Sequence, residues 1–178
     1  LTEKGLDATI VSALDSVAWL FNVRGSDVDR TPVALSFAVV GQDGIADLYV
    51  APEKIDDAVR QHLGNAVRIH DRKDFEPALK SLSGKKIAVD PEHAVSAIFA
   101  ALQAGGATVV ELRDPTILAK ALKNPVEQAG HRAAQRRDGA ALSRFLHWVS
   151  VEAPKGNVTE LSAAEKLQSF RAATGKLK

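Results

Sequence analysis

Apolar residues come in short, strand-length runs over the first 112 positions and at helical spacing thereafter. Residues 8–13 predict a buried strand. Residues 33–40 and 45–50 predict two more, separated by Gly41-Gln-Asp-Gly44, whose Asp-Gly chemistry suits a hairpin turn. Residues 66–70, 86–90 and 107–112 bring the expected strands to six. Between them the spacing predicts helices over 15–21, 52–63, 74–82 and 92–104. Asp15 is the expected N-cap of the first of these, and Pro52 the first residue of the second. Gly84 and Gly105-Gly106 stop the last two. This alternation predicts an α/β fold, a six-stranded sheet flanked by helices, and the hairpin makes that sheet mixed rather than purely parallel.

From Asp114 the pattern changes. Asp114-Pro115 and Asn124-Pro125 punctuate a short helix, residues 125–152 predict a long one, and Ala153-Pro-Lys-Gly156 breaks it. A final helix is expected to start near Thr159 or Ser162, the latter having capping-box spacing to Glu165. The expected division is therefore an α/β domain over residues 1–122 and an all-helical C-terminal extension over 123–178. Leu142, Phe145, Leu146, Trp148, Leu167 and Phe170 lie on the two long helices. Large apolar side chains gain ~1.5–3 kcal/mol each on burial. The helices should therefore fold back on each other, dock on the α/β domain or pair with a second chain, and a homo-oligomer in the form of a helix-mediated dimer is expected.

Composition narrows the functional classes. Of 178 residues 46% are hydrophobic and 25% charged, with a formal net charge of +1, so neither disorder nor a polyanionic partner such as nucleic acid is indicated. There is no cysteine, which removes disulfides and thiolate metal sites. No apolar run approaches the ~20 residues of a membrane span. A cytoplasmic location is the expectation, with the sequon Asn157-Val-Thr159 a chance match. There is no methionine, not even at position 1, so a chain opening Leu1-Thr-Glu-Lys-Gly5 reads as part of a longer protein.

Candidate chemistry is sparse. His62, His70, His93, His131 and His147 are scattered, and none forms a short metal-binding motif. The basic positions His131, Arg132, Arg136, Arg137 and Arg144 read as a solvated helix face, because Glu127 and Asp138 interrupt them. The stretch Asn22-Val-Arg-Gly-Ser-Asp-Val-Asp-Arg30 is different: polar, glycine-containing, and placed between a helix and a strand. Here Arg24 can pair with a carboxylate, Asp27 among them. Asp27 and Asp29 together can meet a cation. Local ion pairing that merely stabilises the loop is the competing reading.

Two separated segments carry a family resemblance. One is Asp15-Ser-Val-Ala-Trp-Leu-Phe-Asn-Val-Arg-Gly-Ser-Asp-Val28, followed by Thr31-Pro-Val33. The other runs from Lys123-Asn-Pro-Val-Glu127 through Gly130-His-Arg-Ala-Ala and Arg137-Asp-Gly-Ala-Ala-Leu142 to Trp148-Val-Ser-Val-Glu152. Together they resemble the Xaa-Pro aminopeptidases, also called aminopeptidase P. The resemblance implies a creatinase N-terminal-like middle domain followed by the first helices of a "pita-bread" catalytic domain. It implies a parent enzyme that hydrolyses the bond before proline in peptides with proline at the second position. Two divalent metal ions of the manganese type would be held there by two Asp, one His and two Glu. None of those ligands is assigned to residues 1–178, so no catalytic and no metal-binding residue is expected in this chain, which on its own should be inactive. Within the resemblance Asn22, Arg24 and Asp27 are the candidates for groups facing the substrate cleft. A non-catalytic α/β interaction module and a prolidase or creatinase relative are the alternatives.

Overall fold

A computed structural model describes residues 1–177. They divide into two compact units, one ending at Ala121 and the other beginning at Leu122.

The first unit holds strands β1 (Ala8–Val11), β2 (Ser36–Gly41), β3 (Ala46–Val50), β4 (Val67–His70), β5 (Lys86–Val89) and β6 (Thr108–Glu111). They form a six-stranded sheet in the order β4-β3-β2-β1-β5-β6. β2 is antiparallel to both β1 and β3, and the remaining neighbours are parallel. The sheet is thus mixed, with two antiparallel pairings where the hairpin alone predicts one. Helices α1 (Leu14–Leu20), α2 (Asp57–Leu63), α3 (Phe75–Lys80), α4 (Ser96–Ala104) and α5 (Thr116–Ala121) connect and flank the strands. Successive strand residues point to opposite faces, and this alternation builds two apolar clusters. Ile10, Val39, Ile87 and Val89 pack with Leu79 of α3 and Leu102 of α4. Val11, Ala38, Leu48 and Val50 pack with Val17 of α1 and Leu63 of α2.

Several helix boundaries depart from the expected ones. Asp15 is not the N-cap of α1. Ala13 is, and the Asp15 carboxylate, in the first turn, receives the Lys120 ammonium instead. The single helix expected from Pro52 is two pieces. Pro52–Lys54 forms a 3-10 turn, and Asp56 then caps α2 by accepting the Val59 N–H at 2.8 Å. α4 starts at Ser96 rather than at 92, because residues 90–93 turn back onto the Asp90 carboxylate.

The second unit is an α-hairpin. α6 (Pro125–Glu152) opens with a capping box between Asn124 and Glu127, with Pro125 at its first position. A 3-10 turn over Ala153–Lys155 ends at Gly156 in the left-handed region, φ 77°. α7 (Glu160–Ala172) is capped by Thr159, whose capping box is closed by Ser162; Ser162 is therefore the last residue of the box and not its first. The two helices fold on each other. Arg171 grips Asp138 through Nε (2.7 Å) and Nη2 (3.2 Å), and Lys166 lies over the rings of Trp148 and Phe170. Phe145 and Trp148 stack with centroids 6.1 Å apart.

Candidate functional site

The course of the loop between α1 and β2 is set by unusual backbone angles, close packing and local hydrogen bonds. Asn22 and Arg30 both lie in the left-handed region, with φ of 49° and 62°, which non-glycine residues seldom adopt. Gly25 passes so close to the segment that leads into β2 that a Cβ there would meet Val33 O and Ala34 N at 2.8 Å. The glycine of the Arg24-Gly25 pair is thus required by backbone crowding rather than by dihedral freedom. Gly25 and Asp27 donate their N–H groups to Pro32 O and Val33 O, and Val28 bridges Thr31.

Arg24 and Asp27 line a pocket of about 280 Å³ on the first unit. Leu48 and Val50 of β3, Ile55, Val59 of α2 and Val23 make its apolar walls. Asn22 is not among the lining residues; it is exposed, and its contribution is the left-handed backbone that starts the loop. The expected pairing of Arg24 with Asp27 is not what the structure shows. Arg24 Nη1 donates to Val23 O (2.8 Å) and Ala18 O (3.2 Å). Asp27 Oδ2 accepts from the Leu35 N–H (2.6 Å) and from the Lys54 ammonium. The Lys54 ammonium, reinforced by that backbone N–H, holds the Asp27 carboxyl below its ordinary range. Asp27 Oδ2 is thus committed to Lys54 and a backbone N–H. Lys54 went unrecognised in the sequence because it stands 27 positions from Asp27 on a separate turn. The pocket walls carry no sequence signal beyond ordinary apolar burial.

Among the described residues one group of three metal-ligand types lies close together: Asp90, Glu92 and His93. The scattered histidines of the sequence gave no sign of it, although the three residues are near neighbours in the chain. Asp90 is buried just beyond the end of β5. Its Oδ1 accepts the Glu92 N–H at 2.9 Å, and its Oδ2 accepts the Asp114 N–H at 2.8 Å and faces His93 Nδ1 at 3.0 Å. Burial pushes this carboxyl up, but the Asp114 and Glu92 amides with His93 outweigh it and hold it below its ordinary value. Both oxygens are therefore already used, Oδ1 in the turn at Glu92 and Oδ2 in tying the end of β5 to the segment after β6. Three ligands, one of them so engaged, do not fit a two-ion centre, and no catalytic step is derived through this group. A second polar cluster lies at the edge strand. Asp47 accepts a two-pronged bond from Arg68 Nε and Nη2, both at 2.7 Å, and meets His70 Nε2 at 2.7 Å. His62 Nε2 lies 2.9 Å from Phe21 O, a packing role. No helix of the described residues is long and apolar enough to cross a membrane.

Sequence comparison decides the family. The profile of the Creatinase/Prolidase N-terminal domain matches residues 1–127. The chain belongs to this family. Among its relatives, the "Probable Xaa-Pro aminopeptidase P" of Leptosphaeria maculans is 37% identical over 173 residues, covering 91% of this chain and 28% of the relative. Xaa-Pro aminopeptidase 1 of Dictyostelium discoideum is 34% identical over 177 residues, covering 96% and 28%. The chain thus spans less than a third of the length of the curated relatives it matches. In the solved structure of the X-prolyl aminopeptidase of Caenorhabditis elegans, described as a cytosolic enzyme with a di-nuclear active site, the corresponding region superposes with a TM-score of 0.83 at 30% identity. That match covers 97% of this chain and 29% of that one. The Xaa-Pro dipeptidase of Bacillus anthracis shares the fold, with a TM-score of 0.69 at 15% identity, covering 97% and 46%. The creatinase N-terminal-like domain with its mixed sheet, and the helical region that follows, stand as expected from the sequence.

Proposed function

We propose that this chain is the non-catalytic portion of a metal-dependent Xaa-Pro aminopeptidase, an enzyme that removes the residue preceding proline from peptides with proline at the second position. The observation that carries this reading is the alignment with aminopeptidase relatives across both units, 34–37% identical over more than nine-tenths of the chain. In this reading residues 1–122 are the creatinase N-terminal-like domain and residues 123–178 the first helices of the catalytic domain. Two divalent ions, manganese in our reading, belong to the whole enzyme, and the di-nuclear site of the nematode relative supports their number. The enzyme is cytoplasmic and a homo-oligomer. Asn22, Arg24 and Asp27 contribute to the wall of the substrate cleft: Asn22 and Gly25 set the course of the loop, and Arg24 presents a cation beside an apolar pocket.

The test compares the 178-residue chain with the whole product of the gene that encodes it. Each is incubated with an Xaa-Pro-Pro peptide and manganese, and release of the first residue is followed. The whole product should release it and should stop when the metal is chelated, while the 178-residue chain should be inactive under both conditions. Failure of the whole product to cleave would remove the peptidase reading. Metal-dependent cleavage by the 178-residue chain would remove its non-catalytic assignment.

A further inference from the structure

The pocket beside Arg24 has the chemistry of a carboxylate site with an apolar floor. An arginine side chain offers two parallel N–H bonds from its Nε–Nη2 edge, a geometry that matches the two oxygens of a carboxylate. This protein uses that edge twice, Arg68 on Asp47 at 2.7 and 2.7 Å and Arg171 on Asp138 at 2.7 and 3.2 Å. In Arg24 the opposite nitrogen, Nη1, is pinned to the carbonyls of Ala18 and Val23. Those two bonds fix the guanidinium plane and leave the Nε–Nη2 edge with no carboxylate among the described residues. The one acidic group in the pocket lining, Asp27, is neutralised by Lys54, so it neither occupies that edge nor repels an incoming anion. Beneath lie Leu48, Val50, Ile55 and Val59, in a space near the small end of the ~300–1,000 Å³ typical of ligand pockets.

We infer that this pocket binds the C-terminal residue of a short peptide, its free carboxylate on the Nε–Nη2 edge of Arg24 and its apolar side chain against Leu48, Val50 and Val59. The inference rests on the peptide-substrate reading above for the kind of ligand, but the pocket lies wholly within the first unit and needs no metal and no catalysis. It amounts to a size and end-group selector: short peptides ending in an apolar residue engage it, and peptides with a blocked C-terminus do not.

The probe is acetyl-Pro-Leu, titrated into the isotope-labelled 178-residue chain, with its C-terminal amide and acetyl-Pro-Gly as the matched controls. Saturable shifts are expected at the amides of Val23, Gly25, Leu48, Val50 and Val59. Affinity should fall by about tenfold or more, ~1.4 kcal/mol, for the amide and in Arg24→Gln, and should fall for acetyl-Pro-Gly. Because the two control peptides are read on the unaltered protein, the result stands even if Arg24→Gln disturbs the loop. Equal affinity for acid and amide, or no saturable shift at these five amides, overturns the inference. Hydrolysis by the whole gene product without binding of acetyl-Pro-Leu would sink the pocket and leave the peptidase reading standing. Binding without hydrolysis would do the reverse.

Discussion

In the α/β unit Ile87, Val89 and Leu102 have no accessible surface, and two clusters of buried side chains sandwich the sheet. In the helical unit Ala141 is the one buried residue of α6, and α7 has none, while Leu146 and Leu161 are 58% and 78% exposed. The first unit is held by contacts between residues far apart in the chain. The second has no buried cluster of that kind among the described residues: a capping box opens each helix, and a half-buried two-pronged Arg171–Asp138 pair and Lys166 over the Trp148 and Phe170 rings join α7 to α6. Burial supplies most helix stability in globular proteins, and isolated helices are marginal even when well capped. The two units should therefore answer differently to substitution.

The largest effect should come from Leu102→Ala, which removes a side chain with no accessible surface from between α4 and the sheet. A loss of about 2–5 kcal/mol is expected, read as the urea midpoint of β5 amide signals, with the signals of α7 unmoved. A shift below about 1 kcal/mol would mean that the cluster relaxes to fill the hole and would erase the contrast between the units.

Next comes Asp90→Ala. Deleting the acceptor strands the buried Asp114 N–H and should cost about 1–3 kcal/mol. The pH dependence sharpens this. The Asp90 carboxyl lies below its ordinary value of 3.8 in the folded chain, so its contribution is fully present above about that pH. The contribution is lost as pH falls through the lower folded-state value. Stability of the α/β unit should drop in that acid window, and Asp90→Ala should flatten the drop. An unchanged acid profile in the variant would show that other carboxylates, such as Asp47 beneath Arg68 and His70, control it.

The smallest effect should be that of Leu161→Ala. Its side chain is mostly exposed on the first turn of α7, and the change should stay within about 0.5 kcal/mol, read from α7 amide signals. A loss several times larger would mean that this face is covered in solution, which is what the proposed homo-oligomer requires if α7 lies in its interface.

The strands were legible because their information is local. Alternating β-branched residues, the Gly41–Gly44 turn and the glycines after the helices each act within a few positions. The same holds for Pro125 and the Thr159–Ser162 box, although which of those two residues begins the box depends on which backbone N–H groups the helix leaves open. The boundaries read wrongly are those where a distant partner competes. Asp15 lies inside the first turn of α1 and turns to Lys120, 105 positions away, and so does not cap the helix. The site divides in the same way. Arg24 and Asp27 stood out as polar residues in a constrained loop, and both border the pocket. Their partners were out of reach, because Lys54 meets Asp27 only once β2 and β3 have formed and the turn after β3 is in place.

The sequence alone determined the kinds of element, their order, the family resemblance and the loop where charge and glycine coincide. Each of these is set by short-range sterics, hydrogen-bonding propensity and the period of apolar positions. The tertiary structure alone decided that Arg24 is pinned by carbonyls rather than by Asp27, that Asp90 joins β5 to the segment after β6, and that apolar walls from β3 and α2 line one pocket with Arg24. Charged groups pair with whatever the fold brings within reach, and spacing along the chain does not fix those distances.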